Sequence, residues 1–465
     1  MTIFSLIGLI ALLAVGVTIL TGLLKKPENW LIHYLRNFLG TFFVFSGVVK
    51  AIDPTGTAIK MEDYFNVFTE HFSLFTGLWE FLISIALPLS VFMIVLEIVL
   101  GVSLILGTFK KPTLWLYIGL TLFFTVLTGF TYLTGYVPKD ATFFQFAQWE
   151  GFKESNMRVT DCGCFGDFVK LKPYESFLKD VALTGLIFLM LFLSKHITLV
   201  FNKKISWILL GVLGVAAFAF SMRNVNNLPI VDFRAYKIGA NLIDGRNDGI
   251  PPEVQTMYTL TKEGTGEVKK IESKEYIDSG IWKDKTWVMD NDKTEQVTIK
   301  EGKMPTIKDF MIYDDAENEV ADAIVNRPGF TLFVAAYNVE KSNLEKGFVK
   351  VNQVMKEATK DNIPIIGLTA SAIDYAQKFT DNIYKFYNLD AVPIKTMIRS
   401  NPGVVLIKDG IVVDKWHFNQ LPNWSEIVAK HNITKQDPPQ DLIQEDEEII
   451  DEEMMEEEME GDGDE

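Results

Sequence analysis

Long apolar runs fill the first 222 residues of the chain and then stop. A helix needs about 20 apolar residues to cross the hydrocarbon core of a bilayer. Six runs are candidate spans: 2–24, 38–52, 81–107, 114–136, 177–193 and 205–222. The second reaches full length only if it starts near Trp30, and the third contains Pro88, which a membrane helix tolerates where neighbours resatisfy the freed backbone groups. Beyond Met222 the pattern changes to the short alternations and turn residues of a water-soluble chain. Hairpins are expected at 256–271, around Glu263-Gly264-Thr265-Gly266, and at 286–299, around Asn291-Asp292-Lys293. Farther on, the pattern predicts a strand at 330–337, a helix at 344–358, a strand at 363–369 and a helix at 372–386. A last hairpin over 404–414 turns at Asp409-Gly410.

Charge sharpens this division. The 465 residues carry a formal net charge of −16 beside a mean hydropathy of +0.16, which no uniform globule combines. The stretch 441–465 alone holds 15 acidic residues and no Lys or Arg, leaving 44 basic against 45 acidic residues elsewhere. The acidity therefore belongs to a tail whose self-repulsion predicts disorder. A basic footprint is missing, which argues against nucleic acid as a partner and leaves membrane lipid and proteins. Lys25, Lys26 and Arg36, then Lys110 and Lys111, then Lys195, Lys203 and Lys204, fall in alternate short loops. The positive-inside rule puts those loops in the cytoplasm, so 53–80, 137–176 and everything after Met222 lie outside. Lys25 and Lys26 follow the first apolar run, whereas a signal peptide places its positive charge in front; a retained helix is expected.

The only cysteines, Cys162 and Cys164, stand in Asp161-Cys162-Gly163-Cys164-Phe165-Gly166-Asp167, in an outer loop. Two thiolates do not complete a zinc site, which usually takes four ligands, and His33, His71, His196, His417 and His431 lie elsewhere; no metal is expected. In an extended chain, Cα atoms two residues apart sit about 7 Å from each other, the outer limit for a disulfide. Gly163 allows a tighter fold in which a bridge closes. Such a small ring is strained, and strained, exposed disulfides are the labile, catalytic or regulatory ones. The alternatives are a static staple, which would remove little chain entropy, and two idle thiols. Asp161 and Asp167 would oppose thiolate formation if close, or else cap turns or accept protons during exchange.

Glu97 stands midway in the third span, in Met93-Ile94-Val95-Leu96-Glu97-Ile98-Val99-Leu100-Gly101. An ionisable group at that depth costs several kcal/mol unless partnered and marks a functional candidate; Arg36 and Lys50 are the available cations, and proton or quinone chemistry competes with plain structural hydrogen bonding. The second span and its loop read Arg36-Asn37-Phe38-Leu39-Gly40, Phe45-Ser46-Gly47-Val48-Val49-Lys50-Ala51-Ile52-Asp53-Pro54-Thr55-Gly56 and Glu62-Asp63-Tyr64-Phe65. Together with Glu97, Gly101 and the Cys-Gly-Cys-Phe-Gly-Asp loop, they resemble the DoxX superfamily, and within it the DoxX/MauE-like redox-associated membrane proteins of bacteria. The resemblance implies a four-helix membrane core and an association with envelope electron transfer or thiol chemistry. Residues 304–435 resemble a thioredoxin-like fold, with Pro402 where that family places a cis-proline. Where its Cys-x-x-Cys would stand, this chain has Ala336-Tyr337-Asn338-Val339-Glu340-Lys341, so this region cannot run dithiol exchange itself.

The expected architecture is an α-helical polytopic membrane protein plus an extracytoplasmic α/β thioredoxin-like domain. Its parts are an extra N-terminal helix (1–30), a DoxX/MauE-like core of four of the six spans (31–195), a sixth helix (196–222), a β-rich segment (223–303), the thioredoxin-like domain (304–435) and the acidic tail (436–465). The expected location is the bacterial inner membrane with the C-terminal domain in the periplasm. Cys162, Cys164, Asp161, Asp167 and Glu97 are the candidate catalytic residues, a quinone the candidate cofactor, and an envelope client or redox partner the candidate substrate. A non-enzymatic membrane scaffold that docks partners is the rival reading.

Overall fold

The computed structural model describes residues 2–72, 75–159, 163–300 and 302–437. Asp161, Cys162 and the acidic tail beyond Asp437 lie outside them. The chain divides into two units, Met1–Arg234 and Ala235–Glu465.

The first unit is helical: α1 (Ile3–Leu24), α2 (Trp30–Ile52), α3 (Pro54–His71), α4 (Thr76–Ser84), α5 (Ala86–Leu106), α6 (Lys110–Thr134), α7 (Pro173–Phe192) and α8 (Lys203–Asn226). Among the described residues five helices, α1, α2, α5, α6 and α8, are long and apolar enough to cross a membrane. The expected fifth span forms as α7, but Glu175, Lys179 and Asp180 charge its first half, so it is not one of the five. α1 and α8 leave Phe4, Leu12, Leu20, Trp207, Ile208 and Val215 exposed. Helices apolar all round belong against lipid rather than water.

Local chemistry sets the boundaries. The Asn29 side chain accepts from the Leu31 and Ile32 N–H groups, so α2 starts at Trp30 and reaches spanning length. The expected third span is broken at Ile85 into α4 and α5. Pro88 lacks the N–H that would have bonded the Ser84 carbonyl, and the helix gives way there. The stretch 53–80, expected as a loop, contains α3: Asp53 accepts from the Gly56 N–H and Pro54 occupies the first turn, a helix start signal.

α2 and α5 approach backbone to backbone. A Cβ on Gly101 would lie 2.8 Å from the Gly40 carbonyl oxygen, and one on Gly47 would lie 2.6 Å from Ile98 Cγ1. Small residues at such a crossing are how membrane helices pack closely without a hydrophobic driving force.

The second unit is α/β. Three antiparallel strands, β1 (Glu253–Lys262), β2 (Val268–Glu272) and β3 (Trp287–Lys300), run in the order β2-β1-β3. The first hairpin forms as expected. The second does not: 287–300 runs as one strand along β1, with Asp290 opposite Thr259 and Glu295 opposite Met257. The residues between are absorbed as an irregularity anchored by Thr259 Oγ1 donating to the Lys293 carbonyl at 2.9 Å, because the free edge of β1 offers a full ladder that a separate hairpin would forgo.

A five-stranded sheet follows: β4 (Phe330–Ala336), β5 (Ile365–Thr369), β6 (Lys385–Asn388), β7 (Gly403–Lys408) and β8 (Ile411–His417), ordered β6-β5-β4-β7-β8. β5 is parallel to both β4 and β6, while β7 is antiparallel to β4 and β8. β4 is buried along its whole length between the helices packed on either face. The expected helix 372–386 is cut to Ile373–Gln377. Its C-terminal end becomes edge strand β6, because Gln377 turns its side chain onto the Phe386 N–H and the Tyr384 carbonyl. Asp409 and Gly410 both take positive φ, 50° and 74°, as a two-residue hairpin turn requires. The Asn401–Pro402 peptide is cis.

Two expectations follow. Gly101→Val should destabilise the helical unit by about 1–3 kcal/mol through overpacking, whereas Gly16→Val, with nothing within 4 Å of its Cβ, should not; denaturation in detergent micelles compares them. Burial holds the His417 imidazole down to about 4, and its Nδ1 accepts from the Asn419 N–H. The unfolded chain therefore binds this proton first as pH falls. Stability contributed by neutral His417 should be complete above pH 6.5 and decline from there to about pH 4. Thermal melts of the full chain across that range should show a weaker acid loss for His417→Gln.

Candidate functional site

The Glu97 side chain is 1% exposed, and its Oε1 lies 2.5 Å from Lys50 Nζ, itself 6% exposed. Of the two cations available to Glu97, Lys50 is the one it meets. Arg36 turns elsewhere: Nη1 donates to the Thr198 carbonyl at 2.6 Å, and Nη2 donates to His33 Nδ1 at 3.1 Å. His33 then donates from Nε2 to Thr21 Oγ1 at 2.9 Å. The Lys50 ammonium also lies 4.6 Å from the Phe124 ring centroid, a cation–π contact that offsets part of its lost hydration.

Ser46, one helical turn before Lys50, joins this pair to the cysteine loop. Its Oγ lies 3.2 Å from Glu97 Oε2 and 3.2 Å from the Cys164 carbonyl oxygen, a donor to both. Gly163 has a φ of +62°, which strains any other residue, and a Cβ there would lie 3.1 Å from Lys60 Cγ. Phe165, 1% exposed, is the anchor of the loop, packed at 5.6 Å on Phe42 and 6.3 Å on Phe45. Cys164 is buried beside it. Asp167 Oδ1 lies 3.7 Å from Lys170 Nζ in the same loop.

The structure thus brings Glu97 and Cys164 to one place, and both line a single cavity with Lys50, Lys60, Gly163 and Thr128. Its free volume is ≈ 40 Å³, room for about three water molecules and far below the roughly 300–1,000 Å³ of a cofactor pocket. A quinone ring does not fit in this space. The sequence reading passed over Ser46, an ordinary serine in an apolar helix, and the Lys179-Asp180 dipeptide, whose two charges inside an apolar run were the available signal.

Residues 28–139 match the model of a family described as methylamine utilisation protein MauE. This segment of the helical unit is MauE-like. The matched segment takes in Lys50 and Glu97 and ends before the cysteine loop. Its long apolar helices make this a multi-pass membrane protein. No curated protein matches the chain. One solved structure is similar, the solution structure of "a putative protein disulfide isomerase from Bacteroides thetaiotaomicron", at 16% identity over 28% of this chain and 87% of that one, with a TM-score of 0.22.

Breaking a buried pair leaves an uncompensated charge and costs about 3–5 kcal/mol. Lys50→Met and Glu97→Leu should each destabilise the helical unit by about that much. The double variant should recover most of the loss, and a double-mutant cycle measured by denaturation in micelles reads the coupling.

Proposed function

We propose that this is a redox-associated protein of the bacterial inner membrane, exchanging disulfides with envelope clients through Cys162 and Cys164. The observation that carries the reading is the seating of the cysteine loop on the buried Lys50–Glu97 pair by Ser46. A charged pair this deep is costly, and here it is joined through Ser46 to the backbone of Cys164. A client thiolate attacks the disulfide, one protein sulfur leaves, and the mixed disulfide is resolved by the client's second thiol. The client is oxidised by two electrons and the cysteine pair reduced; a partner disulfide reoxidises it by the reverse exchange.

In this reading six helices cross the membrane, the DoxX-like core among them, and the cysteine loop and second unit face the periplasm. Four adjacent strands of the larger sheet, in the order β5-β4-β7-β8 with one antiparallel hairpin, support a thioredoxin-like assignment for that unit. Lacking cysteines, it serves to dock clients.

The test is the redox state of the pair in intact cells, read by acid quenching and maleimide-polymer labelling. A mixed population that shifts with external dithiothreitol is expected. A pair indifferent to reductant, with wild-type envelope behaviour in the Cys162→Ser, Cys164→Ser variant, would establish the scaffold instead.

A further inference from the structure

A second buried ion pair lies in the helical unit and has no part in the reading above. Lys179 and Asp180, adjacent on α7, have side chains 6% and 5% exposed and are joined Nζ to Oδ1. The Lys179 ammonium faces the Phe165 and Phe42 rings, at 5.7 Å and 5.9 Å from their centroids, so it braces the anchor of the cysteine loop from below. Asp180 Oδ2 accepts from Thr128 Oγ1 at 3.1 Å. Thr128, 1% exposed, also lines the cavity that Lys50, Glu97 and Cys164 share. One threonine therefore touches the second pair on one side and the space above the first pair on the other.

Most of the cavity wall is apolar, but Lys50, Thr57, Glu97 and Thr128 also line it, the buried Thr57 hydroxyl has no hydrogen-bond partner among the described residues, and the volume admits water. A hydroxyl has one proton and two acceptor positions, and Thr128 directs that proton toward Asp180 or the Phe124 carbonyl, keeping acceptor capacity for a water donor. We infer that Lys50–Glu97 and Lys179–Asp180 form one proton-handling network, joined by water in the cavity and by Thr128, that takes up the proton a buried Cys164 must lose. This rests on the dithiol reading. When the reduced pair attacks a partner disulfide, the S–H bond of the attacking cysteine breaks and its proton enters the network. A protein–partner S–S bond forms, the partner's own S–S bond breaks, and the departing sulfur carries the electron pair and takes a proton back. Resolution by the second cysteine repeats the step, so two electrons pass to the partner disulfide with no net proton change.

Other charged and titratable groups face this region. α3 contributes Lys60, 3.6 Å from Asp63, and Tyr64, whose hydroxyl meets Thr131 at 2.8 Å. α6 contributes Tyr117, edge-on to Phe43. The loop contributes the Asp167–Lys170 pair, α7 adds Glu175 at its cap, and α8, packed on α5, carries Arg223, which is bound to Asn224 and the Leu228 carbonyl. Lys60 and Tyr64 also line the cavity, and Thr128 connects it to Asp180 by a hydrogen bond.

The test uses the full chain, reduced, in lipid nanodiscs. The rate of its reaction with a chromophoric aromatic disulfide is followed from pH 5 to pH 9. Thr128→Val keeps the branched shape and both ion pairs but removes the hydroxyl. It should slow the reaction at pH 7 by roughly tenfold or more, the scale of a lost acid–base group, and move the rise in rate to higher pH. Thr128→Ser should keep the wild-type profile. Should Thr128→Val fail to fold, the Lys179→Met, Asp180→Leu double variant asks the same question and should give the same displacement. An unchanged profile in these variants, or an equal change in Thr128→Ser, overturns the network while leaving the dithiol reading intact. A wild-type pair that never reacts with the disulfide takes both down.

Discussion

Everything in the helical unit is arranged around a carboxylate that cannot reach bulk water. Glu97 sits in the middle of an apolar helix, and its ionised form survives there only with a cation at contact distance and further hydrogen bonds. Lys50 and Ser46 supply both from α2. They reach Glu97 because α2 and α5 touch along their glycines, so Gly40, Gly47 and Gly101 are as much a part of the ion pair as the charged atoms. A bulkier side chain at that seam would push the helices apart and strand the carboxylate. The electrostatics and the packing are therefore one constraint, met by a short list of residues on two helices.

The two units solve the burial problem in opposite ways. In the first, apolar side chains point outward along α1 and α8, and the polar groups that matter are inside, paired with one another. In the second, β4, β5 and β7 are the dry centre and charge lies mostly at the surface, an ordinary water-soluble arrangement. The lipid-facing helices of the first unit set the positive mean hydropathy, while the negative charge comes from the stretch 441–465.

Much of this was legible in the sequence, and the failures have physical causes. The apolar runs located the helices of spanning length because lipid demands an uninterrupted stretch, whereas α3 fell in a stretch expected to be a loop. Glu97 was conspicuous because nothing else ionisable stands in its run, but the neighbouring span offered it both Arg36 and Lys50, and only the fold chose Lys50. What periodicity could not weigh was competition between local and distant partners. Pro88 was accepted as a tolerated kink, yet the missing N–H split the run at Ile85. Asn291-Asp292-Lys293 has turn chemistry, but the edge of β1 outbid it. Residues 385–388 continue a helical pattern, yet Gln377 caps the helix early and the edge of β5 takes them as a strand. Lys179 and Asp180 passed as the start of an apolar span because a dipeptide gives no periodic signal.

The single hydrogen on the Ser46 hydroxyl has a consequence of its own. Two acceptors, the Cys164 carbonyl and a Glu97 oxygen, stand at equal distance from it, and one hydroxyl proton cannot be fully given to both. Ser46 is thus a two-position pointer. A proton turned onto the carbonyl ties the cysteine loop to α2; turned onto Glu97, it adds to the partners that hold the carboxylate. The rotation of one bond therefore trades loop anchoring against the solvation of a buried charge.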